Sequence, residues 1–140
     1  MIAMEKSGKP GVILIGLPKE EIDLLSRFLG TKYNFIAINH DFPLDRLKSY
    51  ENIRLFAVNT DLVWADIMSI ARKIKGNTRY HNIPFLGLAL KRHLKKCKHK
   101  ERDFFEDLIL MPCNKEDFLT RVDVWAETSR TLNGCSIQGS

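Results

Sequence analysis

Five short apolar runs, separated by helix-like patterns, constrain the fold of this chain more than any other feature. The runs are Val12–Ile15, Phe35–Ile38, Ile53–Val58, Ile83–Leu90 and Leu108–Met111. A short continuous apolar run is typical of a strand that is covered on both faces, as in a parallel sheet. Because parallel strands need helical crossovers, we predict an α/β domain with a single doubly wound, five-stranded parallel sheet between two layers of helices.

The segments between the runs carry helical spacing and end signals. Apolar residues recur at helical intervals in two of them, at Ile22, Leu25, Phe28 and Leu29 and at Ile67, Ile70, Ala71 and Ile74. Pro18 precedes the first group, and Gly30 and Gly76 follow the two groups. We expect a short or irregular helix over 41–50 and a fourth helix in the place of 91–100. A last helix, capped by Asn114, would carry Phe118, Val122 and Trp125 on one face.

The 140 residues suit one compact domain. We expect a tail over 1–10, the domain over 11–128, and a polar tail over 129–140 that is a linker or a frayed end. No apolar run approaches the roughly 20 residues that cross a bilayer, and the first ten residues do not resemble a signal peptide. Cys97, Cys113 and Cys135 form an odd, scattered set, which favours reduced thiols and a cytoplasmic protein.

The net charge of +5 originates in one segment, residues 91–100, which hold six Lys or Arg residues and no acid. Without them the chain has 22 − 6 = 16 basic residues against 17 acidic ones. If the segment is helical, Lys91, Lys95 and Lys98 form one stripe, with Arg92 and Lys96 beside it. This stripe suits an acidic protein surface or nucleic-acid phosphates, although a solvated helix face explains it equally well. No aromatic residue interrupts the segment, which weakens a base-stacking role.

In doubly wound sheets the chemistry sits at the carboxyl ends of the strands, here at Gly16-Leu17-Pro18, Asn59-Thr60, Leu88-Ala89 and Met111-Pro112. The stretches RLFAVNTDLVWADIMSIARKIK, NIPFLGLAL and FEDLILMPCNKEDFLTRV resemble the third strand and helix, the fourth strand, and the fifth strand and helix of receiver domains. Receivers are the phosphorylated domains of response regulators in two-component systems. The resemblance runs from Gly11 to Glu127 and implies a flavodoxin-like, non-enzymatic signalling module.

The side chains that receivers use for phosphotransfer are missing at the matching positions. The two Mg²⁺-binding acids fall on Leu17 and Pro18, or on Gly16 and Leu17 with a shift of one residue. The acceptor aspartate falls on Asn59, the hydroxyl residue on Ala89, the lysine on Met111 and the switching aromatic on Leu108.

These substitutions predict a pseudo-receiver, with no catalytic residue, metal or cofactor. An amide is too weak a nucleophile to form an acyl phosphate, and Mg²⁺ needs hard oxygen ligands. We further expect Leu17, Ala89, Leu108 and Met111 to converge on a dry, filled pocket. Asp61 is the nearest acid, and we expect it to cap the third helix rather than replace the acceptor.

The resemblance also implies where partners dock. Receivers meet other signalling proteins, or a second copy, on the face made by the fourth helix, fifth strand and fifth helix, often beside a fused output domain. Our candidate contacts on that face are Lys91, Arg92, Lys95, Lys96 and Lys98.

Three other interpretations are weaker. One is a nucleic-acid-associated domain that uses 91–100. Another is an enzyme with an unfamiliar site at Asn59, Thr60 and Asp61. The third is a metal site at His93, Cys97, His99 and Cys113, whose spacing does not match zinc motifs.

Overall fold

The computed structural model describes residues 9–30, 32–90, 105–111 and 114–138, with side chains left out at 90 and 129–138. It confirms the predicted parallel sheet. The strands are β1 (Gly11–Ile15), β2 (Asn34–Ile38), β3 (Ile53–Asn59), β4 (Phe85–Leu90) and β5 (Asp107–Met111). Their order is β2-β1-β3-β4-β5, and every neighbouring pair is parallel.

Helices connect and cover these strands as the apolar spacing predicted. They are α1 (Lys19–Leu29), α2 (Trp64–Lys75) and α3 (Lys115–Gln138), with a 3₁₀ helix at Leu44–Ser49 in the segment predicted to be short or irregular. Pro18 lies just before α1. The predicted cap of the last helix is confirmed, because Asn114 Oδ1 accepts the Asp117 N–H at 2.8 Å. The expected fourth helix over 91–100 lies outside the described residues.

The last helix is longer than the sequence indicated. We expected a linker or a frayed end after Thr128, but the backbone stays helical to Gln138, so the expected fraying was wrong. That this segment serves as a linker stays a prediction. The segment is polar, yet it contains no proline, and one glycine in a helix interior costs only about 1 kcal/mol relative to alanine. Polarity alone therefore did not mark the helix end. The domain boundary at 128 stays a prediction.

Two hydrophobic layers lie on opposite faces of the sheet. The first layer contains Ile13 and Ile15 of β1 together with Ile67, Ile70 and Ile74 of α2. The second contains Val12 and Leu14 of β1 together with Leu25 and Leu29 of α1 and Phe118 and Val122 of α3. Trp125 packs against the second layer, which confirms the predicted face of the last helix. Successive side chains alternate between the layers, as in any strand covered on both faces.

Two carboxylates fasten α3 to the rest of the domain. Asp107, at the start of β5, accepts hydrogen bonds from Arg121 Nη1 at 2.8 and 2.9 Å and from Trp125 Nε1 at 3.1 Å. Asp123 accepts a hydrogen bond from Lys32 Nζ at 2.8 Å and a short one from the Tyr33 hydroxyl. The helix is therefore held on both of its flanks.

The Asp123 contacts predict a pH-dependent contribution to stability. Partial burial opposes ionisation of Asp123, but the hydrogen bonds from Lys32 and Tyr33 outweigh it and lower the pKa of the carboxyl. A lowered pKa in the folded state stabilises the protein above the unfolded pKa, near 4, and this contribution is lost as the pH falls through the folded value. Since the Asp123 side chain is 38% exposed, we expect a contribution of at most about 1 kcal/mol.

Replacing Asp123 by asparagine tests this. Urea unfolding at pH 7 and at pH 3 should show a smaller loss of stability on acidification in the variant than in the wild type. Asp45→Asn is the control, because Asp45 is 88% exposed and pairs with Lys48 at 3.7 Å. An equal effect of acid on both variants would contradict the assignment to Asp123.

Candidate functional site

Asn59 lies at the carboxyl end of β3, where the resemblance places the acceptor aspartate. It is 8% exposed and is the one polar residue in the buried set of the described residues. Asn59 Nδ2 donates to the Gly16 carbonyl at 3.1 Å, and Asn59 Oδ1 accepts the Asp61 N–H at 2.9 Å. The amide therefore ties the end of β1 to the turn after β3.

The backbone around Asn59 is held by further contacts. The Thr60 N–H donates to the Leu88 carbonyl at 3.1 Å, and the Thr60 hydroxyl donates to the same carbonyl at 3.3 Å. The Leu62 N–H donates to the Asn59 carbonyl at 3.3 Å. The turn after β3 is thus attached to β1 on one side and to β4 on the other.

Leu62 covers Gly16 closely. Gly16 has a φ of +71°, and a Cβ built on it would lie 2.7 Å from Leu62 Cδ1. A side chain at this position would be strained by its backbone conformation and would also displace Leu62. Close packing of the turn after β3 therefore depends on the glycine.

We expect Gly16→Ala to destabilise the domain by about 2–3 kcal/mol, from backbone strain plus overpacking. Gly30→Ala is the matched control, because Gly30 also has a positive φ, of 53°, while its nearest contact would be an ordinary 3.6 Å to the Arg27 carbonyl. Chemical denaturation should show the smaller loss for Gly30→Ala. Equal losses at the two positions would show that Leu62 does not press on Gly16.

The predicted site positions do not share one pocket. Leu17 packs against the second hydrophobic layer and Met111 belongs to it, whereas Leu108 packs against the first layer. Ala89 is buried at 2% exposure and pairs in register with Leu110. The expected convergence of Leu17, Ala89, Leu108 and Met111 was wrong for Leu108. It stands three residues before Met111, so the alternation of the strand places it on the opposite face.

Leu108 instead fills the space beside Gly87. A Cβ on Gly87 would lie 2.8 Å from Leu108 Cδ1, 2.9 Å from Thr60 Cγ2 and 3.0 Å from Phe105 Cδ2. These side chains therefore close over β4 on the face of the sheet that α2 covers. Local sequence patterns do not predict this arrangement, because the four residues come from three separate segments.

Asp61 has a different place from the one expected. We predicted that it would cap the helix after β3, but the N-cap residue of α2 is Val63, whose side chain makes no capping hydrogen bond. Asp61 is exposed, and its N–H rather than its carboxylate makes the turn with Asn59. The helix begins two residues later than a cap at Asp61 would require.

The residues at this edge do not fit the Mg²⁺ that receivers bind. Leu17 and Pro18, at the two acid positions, have no side-chain oxygen, and magnesium needs hard oxygen ligands. Within the described ranges, no group of three or more His, Cys, Asp or Glu residues could hold a metal ion.

Several predicted site residues belong to segments outside the described ranges. The candidate contacts Lys91, Arg92, Lys95, Lys96 and Lys98 lie outside the described residues, as do His93, Cys97, His99, Pro112 and Cys113. Among the helices that the structure does describe, none has the length and hydropathy of a membrane span.

The sequence did not indicate a second concave region, at the amino ends of the strands. A groove of about 820 Å³ lies there, which we call the amino-edge groove. Its lining residues are Pro10, Lys32, Tyr33, Asn52, Arg54, Asp123, Val124, Ala126 and Glu127. The Tyr33–Asp123 hydrogen bond in this groove joins residues that are 90 apart in sequence, so local sequence patterns do not predict it.

Comparison with known proteins identifies the fold. No family model and no curated protein matches the chain. A response regulator receiver domain protein from Clostridium thermocellum superimposes with a TM-score of 0.69 at 12% identity, over 88% of this chain and 98% of that one. The signal receiver domain of an HD domain-containing protein from Pseudomonas fluorescens Pf-5 gives 0.67 at 14% identity, over 88% and 98%.

A longer protein shows the same similarity over part of its length. NtrX from Brucella abortus gives a TM-score of 0.73 at 15% identity, covering 93% of this chain and 29% of that one. Together these matches show that the chain has the flavodoxin-like fold of receiver domains.

Proposed function

We propose that this chain is a non-enzymatic signalling module that acts by binding other proteins and does not accept a phosphoryl group. Its fold is that of receiver domains. The observation that carries the proposal is Asn59, a buried amide at the acceptor position with both of its polar atoms bonded to backbone groups.

The contacts of Asn59 make it a structural residue instead of a nucleophile. Its Nδ2 needs a hydrogen-bond acceptor and has one in the Gly16 carbonyl, while its Oδ1 is occupied by the Asp61 N–H. The amide lone pair is delocalised and does not attack phosphorus as a carboxylate does. An incoming phosphate would also meet Leu17 and Pro18 instead of a metal ion that neutralises its charge.

The substitutions also favour a single conformation. A ligand shifts a two-state equilibrium only by its difference in affinity for the two states. Without phosphoryl chemistry at the carboxyl edge, no such difference arises there, and the amide of Asn59 keeps the turn after β3 attached to β1. We propose that this module presents one constitutive surface to its partners.

We propose that partners bind the face made by the fourth-helix segment, β5 and α3, which is the fifth helix of the receiver layout. β5 ends the strand order of the described sheet, and Leu110 on this strand is 37% exposed. The partners would be other cytoplasmic signalling proteins, a fused output domain, or a second copy that forms a homodimer.

Incubation with acetyl phosphate and Mg²⁺ tests the central claim. Intact mass spectrometry should show no phosphorylated species, under conditions that label a receiver domain with its acceptor aspartate. Asp61→Asn belongs in the same experiment. Labelling of the wild type that this variant abolishes would make Asp61 the acceptor and would overturn the proposal.

The partner face is tested by reversing charge in the basic segment. A Lys91→Glu, Lys95→Glu and Lys98→Glu triple variant should lose partners in a pull-down or change its mass in light scattering. The control reverses three exposed lysines elsewhere, Lys19, Lys48 and Lys73, so that the net charge is the same in both variants. Identical partners and mass in both variants would discard the basic segment as a docking site.

A second candidate function is association with nucleic acid, and the charge of 91–100 favours it. Six basic residues within ten, with no acid, suit a run of phosphates. Oligonucleotide affinity that falls steeply and linearly on a log–log plot against salt, and that the triple variant loses, would support it over protein docking.

A further inference from the structure

A pocket of about 410 Å³, which we call the Arg79 pocket, lies beside the start of β3. Two arginines, two tyrosines and one acid are among its lining residues: Arg54, Arg79, Tyr50, Tyr80 and Glu51. The pocket adjoins the amino-edge groove, because Asn52 and Arg54 line both depressions. It is therefore at the edge of the sheet opposite Asn59, which ends β3.

Backbone carbonyls hold Arg79 in place. Its Nη1 donates to the Lys48 carbonyl at 3.1 Å, and its Nη2 donates to the Tyr50 carbonyl at 2.9 Å. The guanidinium carbon lies 5.5 Å from the centroid of the Tyr80 ring, a distance at which an aromatic face attracts a cation. A ligand would therefore meet a side chain that is already ordered, which favours binding.

These contacts leave the positive charge of Arg79 without a counterion. Both hydrogen-bond acceptors are neutral carbonyls, and in the described part of the chain no carboxylate forms a salt bridge with Arg79. Arg54 adds a second cation to the lining, whereas Glu51, the one acid among the lining residues, is exposed. The lining therefore has an excess of positive charge beside the half-buried Tyr50.

We propose that the Arg79 pocket binds the phosphate group of a small organic phosphate. A guanidinium matches phosphate oxygens with two parallel N–H donors, and Arg79 has donors beyond the two that bind the carbonyls.

The charge of the lining favours phosphate over carboxylate. A phosphate monoester carries about 1.5 to 2 negative charges at neutral pH, which suits two arginines better than a single carboxylate does. Tyr50 supplies aromatic surface for the organic part of the ligand, as in many small-molecule sites. The inference goes beyond the proposed function and is independent of it, since it requires no phosphotransfer and uses the edge of the sheet away from Asn59.

Titration of the full chain with phenyl phosphate, followed by the NMR shifts of backbone amides, tests the site. We expect a Kd of about 1 mM or tighter, with the largest shifts at Asn52, Arg54 and Arg79. Arg54→Gln and Arg79→Gln should each weaken binding by about tenfold or more, the usual effect of losing a hydrogen bond to a charged group. Arg54→Gln leaves the carbonyl contacts of Arg79 in place, so it tests the pocket even if Arg79→Gln does not fold.

Arg27→Gln is the matched control. Arg27 is an exposed arginine in the last turn of α1, which packs on the opposite face of the sheet from α2, and its replacement should leave the Kd unchanged. Equal losses of affinity in Arg27→Gln and Arg79→Gln would show a general attraction to basic surface and overturn the inference. Shifts confined to residues 91–100 would overturn it as well.

Two further probes separate an organic phosphate from other anions. Inorganic phosphate lacks the aromatic part and benzoate lacks the second charge, so both should bind more weakly than phenyl phosphate. Benzoate binding as tight as that of phenyl phosphate would contradict the assignment to phosphate, and equally tight inorganic phosphate would contradict the organic part. The absence of saturable phenyl phosphate binding in the millimolar range would overturn the site altogether.

Discussion

Replacing Asn59 by aspartate is expected to destabilise the domain by about 3–5 kcal/mol at pH 7, the usual result of an uncompensated buried charge. The change removes the Nδ2–H that donates to the Gly16 carbonyl at 3.1 Å and brings a carboxylate against that carbonyl. The position is only 8% exposed, so water screens little of the repulsion. This substitution restores the acceptor of a receiver, yet we expect it to harm this protein.

The destabilisation should depend on pH in a defined direction. Burial and the Gly16 carbonyl both disfavour the charged form, so they raise the pKa of the introduced carboxyl in the folded state. A raised pKa means that the penalty is complete above the folded value, shrinks as the pH falls through it, and vanishes below the unfolded value near 4. Urea unfolding of the variant and the wild type should therefore converge between pH 7 and pH 4.

Asn77→Asp is the matched control for this prediction. Asn77 Oδ1 accepts the Arg79 N–H at 2.8 Å, in the same i to i+2 arrangement as Asn59 with Asp61, and a carboxylate preserves this contact. We expect a change within about 0.5 kcal/mol there. A similarly small effect at Asn59 would show that its amide donor contributes nothing and that the carboxyl edge is open to water.

The fold was predictable because its signals are local. Each apolar run marked a strand to within two residues of its observed ends, as when Val12–Ile15 became Gly11–Ile15. The end of α3 was missed because the chain after Thr128 lacks a proline, and polarity does not stop a helix. Helix ends without a stop signal are set by packing, which a single sequence does not display.

The sequence predicted which residues would lie at the candidate site, but not which groups those residues would contact. Counting along the strands placed Asn59 at the acceptor position, whereas its bond to the Gly16 carbonyl joins residues 43 apart. The placement of Leu108 on the opposite face from Met111 follows from the alternation of side chains along a strand, since the two residues are three positions apart. The amino-edge groove could not be predicted from the sequence, because Tyr33 and Asp123 are distant in sequence and neither belongs to a motif.

The burial of Met111 leads to a second prediction with a large expected effect on stability. Met111 is 2% exposed within the second hydrophobic layer, so Met111→Lys alone should destabilise the domain by about 3–5 kcal/mol. The residue ends β5, however, and a lysine stem can extend past the strand toward the carboxyl edge. Asn59 is level with Leu88 on β4 and Ile109 on β5, so Met111 is two strands across and two residues further along, roughly 12 Å away between Cα atoms. A lysine and an aspartate side chain that extend toward each other span most of this separation.

Combining Met111→Lys with Asn59→Asp should therefore restore part of what each change loses, because each buried charge supplies the partner that the other lacks. We expect a coupling energy of about 1–3 kcal/mol from urea unfolding of the four proteins in the cycle. Met111→Lys with Asn77→Asp has the same charges without the proximity and should be additive. If the effects of Met111→Lys and Asn59→Asp were also additive, positions 59 and 111 would not face a common edge of the sheet. Their correspondence to the acceptor and the lysine of a receiver would then be mistaken.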